Sequence, residues 1–175
     1  MNSPAKIRKG ELILKPKSST KKGTNIRAAV VASQYHKPIV EKLVEGSVRG
    51  FTQKGVKKDR IEIFWVPGAF EIPLIAKKLA ESKKYDCLVC VGCVLKGGTD
   101  HYEHVARSVS MGIQSASLST GVPISFSVLL SDDPQIAYER ARENENNRGY
   151  EGALAAFEMA NLLKKVIPKS ERRKY

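Results

Sequence analysis

Four stretches of the chain are almost continuously apolar and rich in β-branched residues: 26–33 (IRAAVVAS), 61–66 (IEIFWV), 87–95 (CLVCVGCVL) and 124–131 (ISFSVLLS). Each is nearly continuously apolar rather than alternating along its whole length, as a strand with one wet face would. The pattern predicts strands buried on both faces, as in a parallel sheet covered by helices. Between these runs the apolar spacing lengthens to that of helices. Residues 38–55 set Ile39, Leu43, Gly46 and Val48 near one stripe, with charges opposite. Residues 69–85 follow Pro67-Gly68, and Pro73 fits only a first helical turn. Residues 100–121 are rich in small side chains and close on Gly121, with Pro123 beyond. Asp133 precedes Pro134 as the cap of a helix over 133–146. A last helix over 149–166 carries Leu154, Phe157, Met159, Ala160, Leu163 and Val166. The order β-α-β-α-β-α-β-α-α predicts an α/β fold, a three-layer α/β/α sandwich around a four-stranded parallel sheet.

Charge refines the domain organisation. The formal net charge is +12, which raises the question of nucleic acid. Residues 1–25 hold seven Lys/Arg against one Glu, and residues 164–175 hold six against one. Residues 26–163 hold 17 basic and 16 acidic residues, so the basicity sits in the ends. The expected organisation is a basic, partly disordered N-terminal tail (1–25), one domain (26–166) and a basic C-terminal tail (167–175). No helix-turn-helix, zinc-finger or RNP signature is present, which argues against a dedicated nucleic-acid fold. No apolar run has the length of a membrane span or a signal peptide. Three unpaired thiols suit a reducing compartment, so the expected setting is the cytoplasm.

The stretch 87–105 (CLVCVGCVLKGGTDHYEHV) holds all three cysteines and two of the three histidines. In a strand, Cys87 and Cys93 face one side and Cys90 the other. Three strand residues span roughly 10 Å, beyond disulfide reach, so the thiols read as small core side chains. His101 and His104 share a helix face, but zinc wants further ligands and only His36 remains; no metal is expected. Position says more about His101. Ligands of open α/β sheets bind beyond the carboxyl ends of the strands. There Lys96-Gly97-Gly98-Thr99 leads into a helix start, whose amides suit an anion, with an imidazole alongside. The same edge receives 65–73 (WVPGAFEIP), with amides at Ala69-Phe70 and a carboxylate at Glu71, and the loop tip at Tyr35, whose ring could stack on a flat ligand. Taken singly, Gly-Gly-Thr also fits a plain turn, and Tyr35 a packed loop residue.

Together, FWVPGAFEIP, VGCVLKGGTDHYEHVARSVSMGI, GVPISFSVLLSDDPQIAYERA and NRGYEGALAAFEMANL resemble the lumazine synthase family, from about residue 10 to residue 166. The resemblance implies a flavodoxin-like fold and a transferase. Its substrates are 5-amino-6-(D-ribitylamino)uracil and 3,4-dihydroxy-2-butanone 4-phosphate. Its products are 6,7-dimethyl-8-ribityllumazine, phosphate and water, in the penultimate step of riboflavin biosynthesis. It implies no metal and no organic cofactor, small-molecule substrates as the ligands, and a homopentamer or an assembly of pentamers with sites between subunits. By motif, His101 matches the proton shuttle, a role that suits an imidazole. Gly98, Thr99 and Arg140 match the phosphate-binding positions, and Arg148 stands where relatives usually carry a supporting Lys. Tyr35 matches the stacking aromatic. Ala69, Phe70 and Glu71 match the ribityl contacts, Cys93, Val94 and Leu95 the uracil-binding strand end, and Phe126 an aromatic given by the adjacent subunit. Without the resemblance, Arg140 reads as a solvated helix charge. The loop ASQYHKPI departs from the common A-R-F-N-x-F-I form and makes His36 a possible neighbour of the ring. The link RENENNRGY lacks the first glycines of the link in shell-forming relatives, and Cys93 replaces a commoner Thr. Two other readings stand beside this one: a carrier that binds the lumazine or flavin ring without turnover, and a basic scaffold that binds nucleic acid through its tails.

Overall fold

The β-branched run Ala28–Ser33 forms β1, and every one of its residues is buried. Among the described residues it lies inside a four-stranded parallel sheet of order β2-β1-β3-β4. The remaining strands are β2 (Ile61–Val66), β3 (Cys87–Leu95) and β4 (Ile124–Ser131). The helices are α1 (Lys37–Gln53), α2 (Ile72–Glu81), α3 (His101–Thr120), α4 (Pro134–Glu139) and α5 (Arg148–Val166). The computed structural model describes residues 25–167. The two expected basic tails lie outside the described residues, apart from Asn25 and Ile167.

The sheet separates two apolar layers. Ala28, Val30, Val89 and Cys93 meet Leu43 and Phe51 of α1 and Ala153 and Ala156 of α5. On the other face Val31, Leu88 and Cys90 meet Ile72 and Ala76 of α2 and Val109 and Ile113 of α3. Cys87 and Cys93 do face opposite to Cys90, as the strand period requires. Removing a large side chain such as Phe51 or Leu43 from water stabilises the fold by roughly 1.5–3 kcal/mol each. No described helix is long and apolar enough to cross a membrane.

Three expectations need correction. Among the described residues β2 is not covered on both faces: it is an edge strand, and Glu62, Ile63 and Trp65 are exposed. The helix expected over 133–146 stops at Glu139. Beyond it Asn144 takes the amide of Asn146 on its side chain, and the Arg140 carbonyl accepts from the Arg148 amide. Asn side chains compete with helical hydrogen bonds in this way. The buried stripe of α1 runs through Val40, Leu43, Val44, Ser47 and Phe51; Ile39 and Val48 lie at its margin. Elsewhere the punctuation is as expected. Asp133 caps α4 by accepting from the Gln135 amide, Gly121 closes α3 at φ 70°, and Pro73 sits in the first turn of α2.

Candidate active site

Chain order and sheet order diverge between β1 and β3, and this opens the first cleft. β1 pairs with β3 only as far as Ala32 opposite Val91. β3 continues to Leu95 with β4 alone. Its last residues therefore present backbone groups toward a gap, the crevice where parallel α/β sheets bind ligands. A cleft of about 780 Å³ lies there. Cys93, Val94 and Leu95 form one wall, and Ala69, Phe70 and Glu71 another. Tyr35 and His36 come from the β1–α1 loop, and Thr99, His101, Tyr102 and His104 from the start of α3.

Local structure fixes each of these side chains. Residues Ala69–Glu71 make a single tight helical turn after Gly68, because the Gly68 amide donates to Glu71 Oε2 at 2.9 Å. This bond holds the carboxylate toward the cleft and uses one of its two oxygens. His36 caps α1 in the left-handed region at φ 54°, a conformation that is uncommon outside glycine, though His visits it more than most residues. The kink projects Tyr35, which is 70% exposed, edge-on to the His36 ring at 5.1 Å. Cys93 turns its side chain into the core, and burial pushes its thiol up to about 11. It meets the cleft as a neutral residue. Burial, then the neighbouring Asp132, raises the Tyr102 phenol as well, so it stays protonated at neutral pH.

The sequence reading asked glycine at 97–98 for close backbone approach. Gly97 lines the cleft and Gly98 does not. Neither adopts positive φ, and a Cβ on either would meet nothing within 4 Å. The chain's own packing makes no demand for glycine there, and the space above the loop is open.

The other expected residues lie in a second cleft of about 380 Å³ along the free edge of β4, lined by Phe126, Leu130, Ile136, Arg140 and Arg148 among others. Both arginines reach one carboxylate that the sequence reading did not single out. Arg140 Nη2 donates to Glu151 Oε2 at 2.8 Å, and Arg148 Nη1 donates to the same oxygen at 3.3 Å. The three side chains are 35–43% exposed and carry a net single positive charge. Each guanidinium keeps further N–H donors for an anion, which a planar fork suits. Only one signal was available in the sequence: Glu151 follows Arg148 by three residues, one helical turn.

The structure thus brings Tyr35, Ala69, Phe70, Glu71, Cys93, Val94, Leu95, Thr99 and His101 into one cleft, and Phe126, Arg140 and Arg148 into another. Among the described residues, no group of three or more His, Cys, Asp or Glu could hold a metal ion. A sequence model of the 6,7-dimethyl-8-ribityllumazine synthase family matches residues 25–164, nearly all of the described chain. The chain belongs to the 6,7-dimethyl-8-ribityllumazine synthase family and catalyses its reaction, the condensation of 5-amino-6-(D-ribitylamino)uracil with 3,4-dihydroxy-2-butanone 4-phosphate in riboflavin biosynthesis.

Proposed function

We propose that the two clefts are halves of one lumazine-forming site, each chain giving its first cleft to one neighbour and its second cleft to another. One observation carries this reading. The reaction needs a proton shuttle close to a phosphate, yet within one chain His101 lines the first cleft while Arg140 and Arg148 line the second. A cyclic homo-oligomer, the pentamer of the resemblance, joins them by repeating one head-to-tail contact. Exposed Phe70, Leu74, Met111 and Leu118 on the α2–α3 side are the kind of apolar surface such a contact covers.

In this arrangement Tyr35 stacks on the pyrimidine, and the backbone of Cys93–Leu95 on its side away from β4 reads its polar edge. Glu71 accepts from ribityl hydroxyls with the oxygen that Gly68 leaves free. Phe126 of the neighbour closes the far side of the ring. Arg140, supported by Arg148, holds the phosphate across from Gly98 and Thr99. His101 protonates the departing hydroxyl as the amine and ketone form an imine. It then removes the carbon-bound proton as phosphate leaves. The guanidinium groups that hold the phosphate and the ring that stacks on the pyrimidine come from different elements, so the phosphate can leave without the pyrimidine losing its stack. A cytoplasmic setting suits the three buried thiols, which are unpaired.

The test is complementation between two impaired variants. His101→Ala and Arg140→Ala subunits are unfolded together, reassembled as a mixture and assayed for lumazine absorbance. Sites shared between subunits regain both halves in about a quarter of random contacts. No recovery above the separate variants would mean that each chain completes its own site.

A further inference from the structure

Residues 140–147 link α4 to α5 without regular structure, yet they space the two arginines that converge on Glu151. Of the residues strictly between Arg140 and Arg148, only Ala141 and Asn147 are buried. Asn147 is 1% exposed. Its Nδ2 lies 2.7 Å from the Ala141 carbonyl, 3.1 Å from that of Arg142 and 3.1 Å from that of Lys42 on α1. Its Oδ1 accepts from the Tyr150 amide at 3.0 Å and caps α5. One amide thus ties both ends of the linker to each other and to α1, and its two hydrogens are shared among three carbonyls.

The neighbouring helices are shaped around this side chain. A Cβ at Gly46 of α1 would stand 2.0 Å from Asn147 Oδ1, and one at Gly149 would stand 2.0 Å from the Leu43 carbonyl. Two glycines therefore let α1 and α5 approach closely enough to bury Asn147. Ala141 anchors the near end of the linker in the core, and the remaining side-chain tie is more exposed: half-buried Arg49 donates to the Asn144 carbonyl at 2.7 Å and pairs with exposed Glu143 at 3.7 Å. Next to Asn147, the Arg148 amide donates to the Arg140 carbonyl at 2.8 Å, so a shift of the amide moves both arginines.

We infer that Asn147 is a positioning residue for the anion-binding half of the site: it sets the spacing of Arg140 and Arg148, and through them the grip on the phosphate-bearing substrate. This rests on the proposed role of the arginine cleft. The test is Asn147→Ser, since a serine hydroxyl keeps the α5 cap but cannot reach the three carbonyls. The KM for the butanone phosphate should rise about tenfold, and inorganic phosphate should inhibit about tenfold more weakly. The KM for the ribitylaminouracil and the kcat at saturation should stay within about threefold. Gly46→Ala is the second variant: it keeps Asn147 and drives a methyl into its amide, and the same split is expected. Equal loss in kcat and both KM values, unchanged KM for the phosphate substrate, or failure of both variants to fold would each overturn the positioning role. Arg140→Ala is run beside them. If it leaves that KM unchanged, the arginine-cleft reading itself falls; if it raises KM while Asn147→Ser does not, only the present inference falls.

Discussion

Glu151→Gln separates two things a carboxylate can do beside two arginines. It can hold them, or it can compete with the anion they are proposed to bind. Glutamine keeps an oxygen that accepts from a guanidinium and removes the charge. The arginines keep their backbone link and the Asn147 ties, so their placement should survive. The net charge of the trio then rises by one. A guanidinium bridging a carboxylate and a phosphate keeps the two anions about 7 Å apart, and at an effective dielectric of about 20 their repulsion is roughly 2 kcal/mol. The side chains are 35–43% exposed, and solvent screening reduces this to about 1 kcal/mol, or roughly fivefold in affinity. Inorganic phosphate, titrated as a competitor of the butanone phosphate, should therefore inhibit Glu151→Gln about fivefold more tightly than the parent, with the difference shrinking at high salt. Weaker inhibition in the variant would refute the reasoning. It would make Glu151 the residue that holds the arginines and leave Asn147 a lesser part.

Two further outcomes are expected. His101→Ala should lower turnover by roughly 10–10³-fold while leaving inhibition by inorganic phosphate within about twofold, since in the proposed site the arginines supply most of the grip on that anion; unchanged turnover would remove His101 from the chemistry. The fold should also lose stability in alkali. Burial pushes the Cys87 thiol up to about 12 and that of Cys93 up to about 11, with Cys90 raised further still. Burial, then Glu62, raises Tyr85 to about 12. Well below the unfolded thiol's pKa of about 8.5 both folded and unfolded chains keep these protons, and stability does not depend on them. Above it the unfolded chain releases protons that the folded chain retains, so stability falls by about 1.4 kcal/mol per pH unit for each such group, until the folded groups titrate too. Urea midpoints at pH 8.5 and 10.5 measure this, and equal midpoints would contradict the buried thiols.

What could be read from the sequence divides along the range of the interactions involved. β3 and β4 are legible because nine and eight consecutive residues without a charge have few other uses. The first cleft is legible for the same local reason: its residues sit a few positions beyond strand ends, in contiguous blocks, and strand ends of a parallel sheet share an edge. β2 was misread because IEIFWV records its apolarity and not its neighbours; the order β2-β1-β3-β4 leaves one side of it unpaired among the described residues.

The second cleft depends on contacts that no local pattern announces. Arg140 looks like any solvated charge at the end of a helix until the chain turns back, and the turn is made by asparagines whose partners are carbonyls up to 105 residues away. The clearest trace of this in the sequence is steric rather than chemical. Gly46 lies in the middle of α1, where glycine costs helix stability of about 1 kcal/mol relative to alanine, and nothing within that helix explains it. Only the close passage of α5, with Asn147 lodged against Gly46 at its start, accounts for that cost. A glycine in mid-helix is therefore the point from which the anion half of this site could have been sought, by asking which polar side chain elsewhere in the chain needed the room.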